Sequence, residues 1–145
     1  MKRIVILAAL SSILWLSCDM GGTYETKEEA KVLADTSHYT TIEWKDTLVN
    51  FGSITKGEMA KVTFRLRNSG KNPLFLTEVK AGCGCTVPSY TKGAIPPGGE
   101  GEVTGEFNSG NVQEGEVRKN IYVTTNTTGK HSHTLIFAGA ITPKK

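Results

Sequence analysis

The ten residues MAKVTFRLRN, Met59 to Asn68, decide the fold class. In an extended chain Ala60, Val62, Phe64 and Leu66 share one face, and Lys61, Thr63, Arg65 and Arg67 share the other. A helical turn would scatter the four apolar side chains around its circumference, so the period of two specifies a half-buried strand. Outward from it, Thr41 to Phe51, Leu74 to Lys80, Gly101 to Phe107, Val117 to Thr125 and His133 to Ile141 carry similar runs. Val103, Phe107, Ile121, Val123, Leu135, Phe137 and Ile141 are the core-facing positions these runs predict.

Between the runs lie NSGKNP (Asn68 to Pro73), AIPPGGEG (Ala94 to Gly101), NSGNVQEG (Asn108 to Gly115) and TNTTGK (Thr125 to Lys130). Glycine, proline and asparagine in such clusters reverse the chain for definite steric reasons. Short strands at this spacing predict an all-β, immunoglobulin-like β-sandwich of about seven strands over residues 40–145. The composition agrees, because 145 residues with 38% hydrophobic and 21% charged side chains suit one compact core.

The first residues have a different character. Lys2 and Arg3 precede an apolar run from Ile4 to Leu16, followed by Ser17 and Cys18. That order is the pattern of a secretory signal peptide, and the run falls short of the roughly 20 residues a spanning helix needs. Leu16, Ser17 and Cys18 resemble a bacterial lipobox, although Trp15 stands where that pattern usually has leucine. The expectation is a lipoprotein signal peptide over residues 1–17 and acylation of Cys18, the lipid holding the protein to a membrane. Residues 18–39 are polar and read as a tether, since the short helical stretch near Lys27 to Asp35 is marginal without a packing partner.

Losing Lys2 and Arg3 leaves 15 basic residues against 14 acidic ones, a net charge of +1. No basic stripe remains to follow a phosphate backbone, so nucleic acid is not an expected partner.

Five blocks in order, NFGSITKGE (Asn50 to Glu58), VTFRLRNSGKNPL (Val62 to Leu74), AGCGCTVP (Ala81 to Pro88), IPPGGEGEV (Ile95 to Val103) and LIFAGAI (Leu135 to Ile141), resemble one family. It is a bacterial domain of unknown function with a CGCT motif, immunoglobulin-like, similar in architecture to hydin-type and major-sperm-protein domains and common in lipoproteins of the cell envelope. The resemblance covers about Thr41 to Thr142 and implies a fold rather than a reaction.

Chemistry concentrates in Cys83 and Cys85, separated by Gly84. With Cys18 acylated they are the remaining pair of thiols, in a compartment that favours oxidation. Three readings stay open: a tight bend of small residues, a labile disulfide, or two soft ligands for a metal such as Cu(I). Closing a bond between residues i and i+2 requires a kinked backbone, which Gly82 and Gly84 are expected to supply at φ values other residues avoid. His131 and His133 are expected in an exposed turn a strand length away, too far to complete a zinc site. Glu100, Glu102, Glu106, Glu114 and Glu116 read as a solvated face.

No nucleophile, base and orienting group assemble in the sequence, so an enzyme is not expected and no cofactor is called for. The leading expectation is a non-enzymatic binding or structural module, lipid-anchored on the periplasmic face or outer surface of the cell envelope, with an envelope protein or glycan as partner. The rival is a periplasmic copper-binding or thiol-redox module using the CGC motif.

Overall fold

The computed structural model describes Lys31 and residues 34–145. The expected signal peptide, Cys18 and most of the expected tether lie outside these residues. Eight strands follow a short 3-10 turn at Thr36–His38: β1 (Ile42–Trp44), β2 (Leu48–Thr55), β3 (Met59–Asn68), β4 (Leu76–Ala81), β5 (Thr86–Tyr90), β6 (Glu100–Asn108), β7 (Gly115–Thr125) and β8 (Ser132–Thr142). They form two four-stranded sheets, ordered β1-β3-β6-β5 and β2-β8-β7-β4, which pack as an immunoglobulin-like sandwich. All pairings between strands are antiparallel except β2 with β8, which is parallel.

The alternation in β3 is realised along its whole length. Ala60, Val62, Phe64, Leu66 and Asn68 are buried, and the residues between them face outward. The two sheets meet through Phe64, Leu66, Val103, Phe107, Ile121, Val123, Leu135 and Phe137, each with no exposed surface. Gly101 and Gly105 of β6 lie across from Leu66 and Val62. A Cβ on either would come within 2.6 Å of Ile95 or 2.8 Å of Ile121, so these glycines set how closely the sheets approach.

On the outer face of the same sheet Arg65 lies opposite Glu102, Arg67 opposite Glu100 and Lys61 opposite Glu106. Opposite charges on facing strands stabilise the pairing modestly. These glutamates occupy a solvated face, as the sequence predicts.

The turn before β6 shows why its residues are what they are. Gly99 N–H donates to Pro96 O at 2.8 Å, and Gly98 has φ +77°. Proline at the second position and a positive φ at the third define a type II turn.

Several expectations need correction. The single run from Thr41 to Phe51 divides into β1 and β2, which belong to different sheets. Lys45 N–H still bonds Arg65 O in one sheet, and Thr47 O already accepts from Ile136 N–H in the other, so the chain crosses between them within three residues. β5 is a strand the sequence pattern does not reveal, because Pro88 interrupts it. His133 lies within β8, half-buried rather than in an exposed turn, with its ring 5.8 Å from that of Trp44. It shares the inward face with Leu135 and Phe137, which draws it off the surface. His131 is exposed, as expected.

The last residues of the expected tether touch the domain. Asn72 Nδ2 donates to Ser37 O at 3.2 Å and Tyr39 O at 2.9 Å, and Asn126 Nδ2 donates to His38 O at 3.0 Å.

Candidate functional site

β4 and β5 belong to different sheets, and the AGCGCT segment is the corner between them. Gly82 N–H donates to Asn120 O of β7 at 2.9 Å, the last bond before the chain leaves that sheet. A Cβ at Gly82 would sit 3.2 Å from the same oxygen, so a side chain here would require the two backbones to separate by a few tenths of an ångström. Asn108 N–H donates to Cys85 O at 2.9 Å, which fixes the far side of the corner to β6.

Cys83 and Cys85 are joined by a disulfide, their Cα atoms 5.3 Å apart. Neither Gly82 nor Gly84 has a positive φ, contrary to the sequence expectation. The crossing from one sheet to the other already bends the backbone, so no left-handed residue is required. Gly84 has open space where a side chain would project. Because the bond encloses only one residue, it removes little entropy from the unfolded chain, under about 2 kcal/mol. It is a weak staple for a corner that backbone hydrogen bonds already hold.

Both cysteines are half-buried, and Cys85 packs against the core. Thr86 beside them is buried, its Oγ1 3.6 Å from Cys83 Sγ and 4.0 Å from Cys85 Sγ. Among the described residues no group of three or more His, Cys, Asp or Glu side chains could hold a metal ion. Sulfurs bonded to each other carry no thiolate charge, so soft-metal binding would require the reduced pair. His131 and His133 lie beside the end of β7, where Val123 pairs with His133, whereas the cysteine corner meets β7 at Asn120. The two pairs are therefore separate.

His133 has a structural setting of its own. Its Nε2 lies 3.1 Å from Thr125 Oγ1, which is 2.7 Å from Thr127 Oγ1, and Thr127 donates to Lys130 O at 2.6 Å. Thr127 Oγ1 also lies 3.3 Å from Nε2, so the ring nitrogen and both hydroxyls form one cluster that ends on the Lys130 carbonyl. Burial, then Lys130 and His131, lower the pKa of His133 below its ordinary 6.5.

The corner opens onto a groove that sequence reasoning missed. β4 pairs with β7 only from Ile121 to Thr125, and Gly82 adds one bond at Asn120. Below that point Gly115 to Lys119 pair with β8 alone. In an antiparallel ladder alternate residues direct their backbone groups to opposite sides. Asn120 bonds toward β4, so Glu116 and Arg118 also aim N–H and C=O to that side, where no strand lies. The unpaired length lines a cavity of about 760 Å³, walled by Cys83 and Cys85 at one end and by Val112 and Gln113 of the β6–β7 loop. Once β4 and β7 are known to pair, the one trace of this in the sequence is that the run Val117 to Thr125 is longer than the run Leu74 to Lys80.

A smaller trough of about 550 Å³ on the outer face of β2, β8 and β7 is lined by Ala138 and Ala140, with Asn50 and Glu116 beside it.

Solved structures show the same architecture. A protein of unknown function from Porphyromonas gingivalis W83 matches at TM-score 0.64 and 17% identity, over 73% of this chain and 49% of that one. The chain thus spans about half of that protein. The ASH/PapD-like domain 7 of human CEP192 matches at TM-score 0.60 and 11% identity, over 99% of this chain and 100% of that one. The VesB protease of Vibrio cholerae matches at TM-score 0.53 and 15% identity, over 69% of this chain and 31% of that one. At such identities the likeness is one of fold. Among curated proteins no sequence match is found. A family model does match, over residues 42–141, and the chain belongs to that family of proteins of unknown function, DUF1573.

Proposed function

We propose that this domain is a non-enzymatic binding module of the bacterial cell envelope, held to a membrane by acyl chains on Cys18, that takes up an extended segment of another envelope protein as an added strand. The unpaired edge of β7 in the groove carries the reading. Strand addition uses main-chain groups for affinity and pockets beside the strand for specificity, so it leaves no catalytic motif in the sequence.

The magnitudes set what such a site can do. Glu116 and Arg118 offer four backbone groups, each contributing about 1 kcal/mol net when paired. Four such bonds give about 4 kcal/mol, near a millimolar Kd, so side chains in the groove or a shared membrane must supply the rest. The partner is therefore an apolar-and-polar strand with a side chain seated near Val112, rather than any free edge.

The test uses the full chain in its native membrane. A photo-crosslinking residue in place of Gln113 should capture a reproducible envelope protein. Arg118→Pro removes the N–H that faces the groove and leaves the β7–β8 ladder intact, because Arg118 does not bond to β8. Capture should fall about tenfold, as expected for loss of one bond with its acceptor left unpaired. Equal capture by the proline variant, with circular dichroism unchanged, would reject strand addition. Cys18→Ala should release the protein from the membrane fraction; retention would reject the lipid anchor.

A further inference from the structure

We propose that Cys83 and Cys85 are a thiol–disulfide exchange centre at the end of the β7 groove, reduced by a protein dithiol that attacks Cys83. This goes beyond the strand-binding reading and does not depend on it.

Four observations lead there. The disulfide lines a groove of about 760 Å³, and open space lies over Gly84 between the two cysteines. Gly82 N–H bonds Asn120 O next to Cys83, Thr86 N–H bonds Cys83 O at 3.4 Å, and Asn108 N–H bonds Cys85 O, so the backbone keeps the thiols adjacent after reduction. Thr86 is 5% exposed, and the two sulfurs are the hydrogen-bond partners of its hydroxyl. A disulfide sulfur is a poor acceptor and a thiolate a good one, so this buried hydroxyl is better satisfied when the bond is broken. Finally, Cys85 packs against the core, whereas Cys83 is not part of that packing, so Cys83 is the sulfur the core holds less tightly and the one taken as the point of attack.

Arg118 and Lys119 line the same groove and favour a thiolate, while Glu114 and Glu116 oppose it. The hydroxyl is accordingly the specific element, and the charges offset one another.

The exchange balances without any other reactant. A thiolate of the partner dithiol attacks Cys83 Sγ and forms a mixed disulfide, the Cys83–Cys85 bond breaks, and its electron pair passes to Cys85 Sγ as a thiolate; Thr86 Oγ1, 3.6 Å from Cys83 Sγ and 4.0 Å from Cys85 Sγ, lies within reach of both sulfurs and nearer Cys83. The partner's second thiolate then attacks its own sulfur in the mixed disulfide and releases Cys83. The partner leaves oxidised by two electrons, and its two thiol protons end on Cys83 and Cys85.

The full chain is equilibrated with glutathione buffers of graded ratio, and thiols are alkylated and read peptide by peptide, so that Cys18 is scored separately. The pair is expected to pass from oxidised to reduced within that range, with circular dichroism unchanged. A bond that yields only when the domain unfolds would overturn the proposal. Kinetics give the second arm. With Cys85→Ala, Cys83 should react with oxidised glutathione at least fivefold faster than Cys85 does in the Cys83→Ala protein. Thr86→Val in the Cys85→Ala background should slow the reaction about fivefold, and Thr86→Ser should restore it. Equal rates at the two cysteines, or no effect of Thr86→Val, would refute the assignment.

Discussion

Asn68 is fully buried, and its amide is saturated with hydrogen bonds. Oδ1 accepts from Thr40 Oγ1 at 2.9 Å and Gly70 N–H at 3.1 Å, while Nδ2 donates to Asn72 O at 2.8 Å and Ile95 O at 2.9 Å. One side chain thus ties the N-terminal entry, the β3–β4 loop and the segment before β6. Asn68→Ala would break all four bonds and leave the buried Thr40 hydroxyl without its acceptor, while Ile95 O keeps Leu74 N–H, and should cost about 2–4 kcal/mol, measured by urea unfolding. Asn68→Asp should cost as much, because a carboxylate cannot donate to the two carbonyls. His133 predicts a pH dependence. Its folded pKa lies below the unfolded value of 6.5, so the unfolded chain binds more protons as the solution turns acidic. Stability should be fully present above about pH 6.5 and decline below it, and His133→Gln should flatten that part of the curve. A denaturation midpoint with the same slope in both proteins would contradict this.

At the level of elements, the free edge of β5 contrasts with the free edge of β7. The bonds from Asn108 N–H to Cys85 O and from Thr91 N–H to Glu102 O place Cys85, Val87, Ser89 and Thr91 toward β6. Thr86, Pro88 and Tyr90 then face the open side. Thr86 N–H is taken by Cys83 O at 3.4 Å and Pro88 has none, so Tyr90 supplies the remaining donor. Such an edge resists accidental pairing. Pro88→Thr should raise self-association above that of the parent protein in sedimentation velocity while changing monomer stability by less than about 1 kcal/mol. Unchanged sedimentation would show that the proline has no protective role. The same proline hides β5 from sequence reading, since a run of five with an interrupted donor pattern does not register as a strand. β3 was legible because each of its apolar residues alternates with a charged or polar one. β1 and β2 were legible only as one run, because a strand that changes sheets keeps its alternation on both sides of the crossing. The cysteine corner was recognisable as chemistry, whereas the groove beside it depends on where β4 stops, and that is set by the register of a partner far away in sequence.

The whole molecule does not lean on its one disulfide. The Cys83→Ser/Cys85→Ser protein should lose less than about 2 kcal/mol, a drop in melting temperature below about 15 °C, with the fold retained. Phe64→Ala, which empties a fully buried position between the sheets, should cost about 3–5 kcal/mol. The order of the two variants in a thermal melt tests whether packing or cross-linking dominates. Reversal of that order would mean the corner is a structural staple after all.

The parallel pairing of β2 with β8 has a consequence for how the domain can be presented to other molecules. Thr40 bridges Thr127 just past the end of β7, while β8 finishes with Ile141 beside Gly115, at the start of β7. Chain entry and chain exit are therefore at opposite ends of the eleven-residue β7, roughly 30 Å apart at the rise of an extended strand. The groove opens at the exit end. A support grafted to the segment before Thr40 will display the groove outward like a lamp on a stalk, whereas one grafted to Lys145 will press the groove's mouth against the surface. Biosensor responses from the two orientations should differ accordingly, the first binding an offered strand or thiol reagent freely and the second poorly.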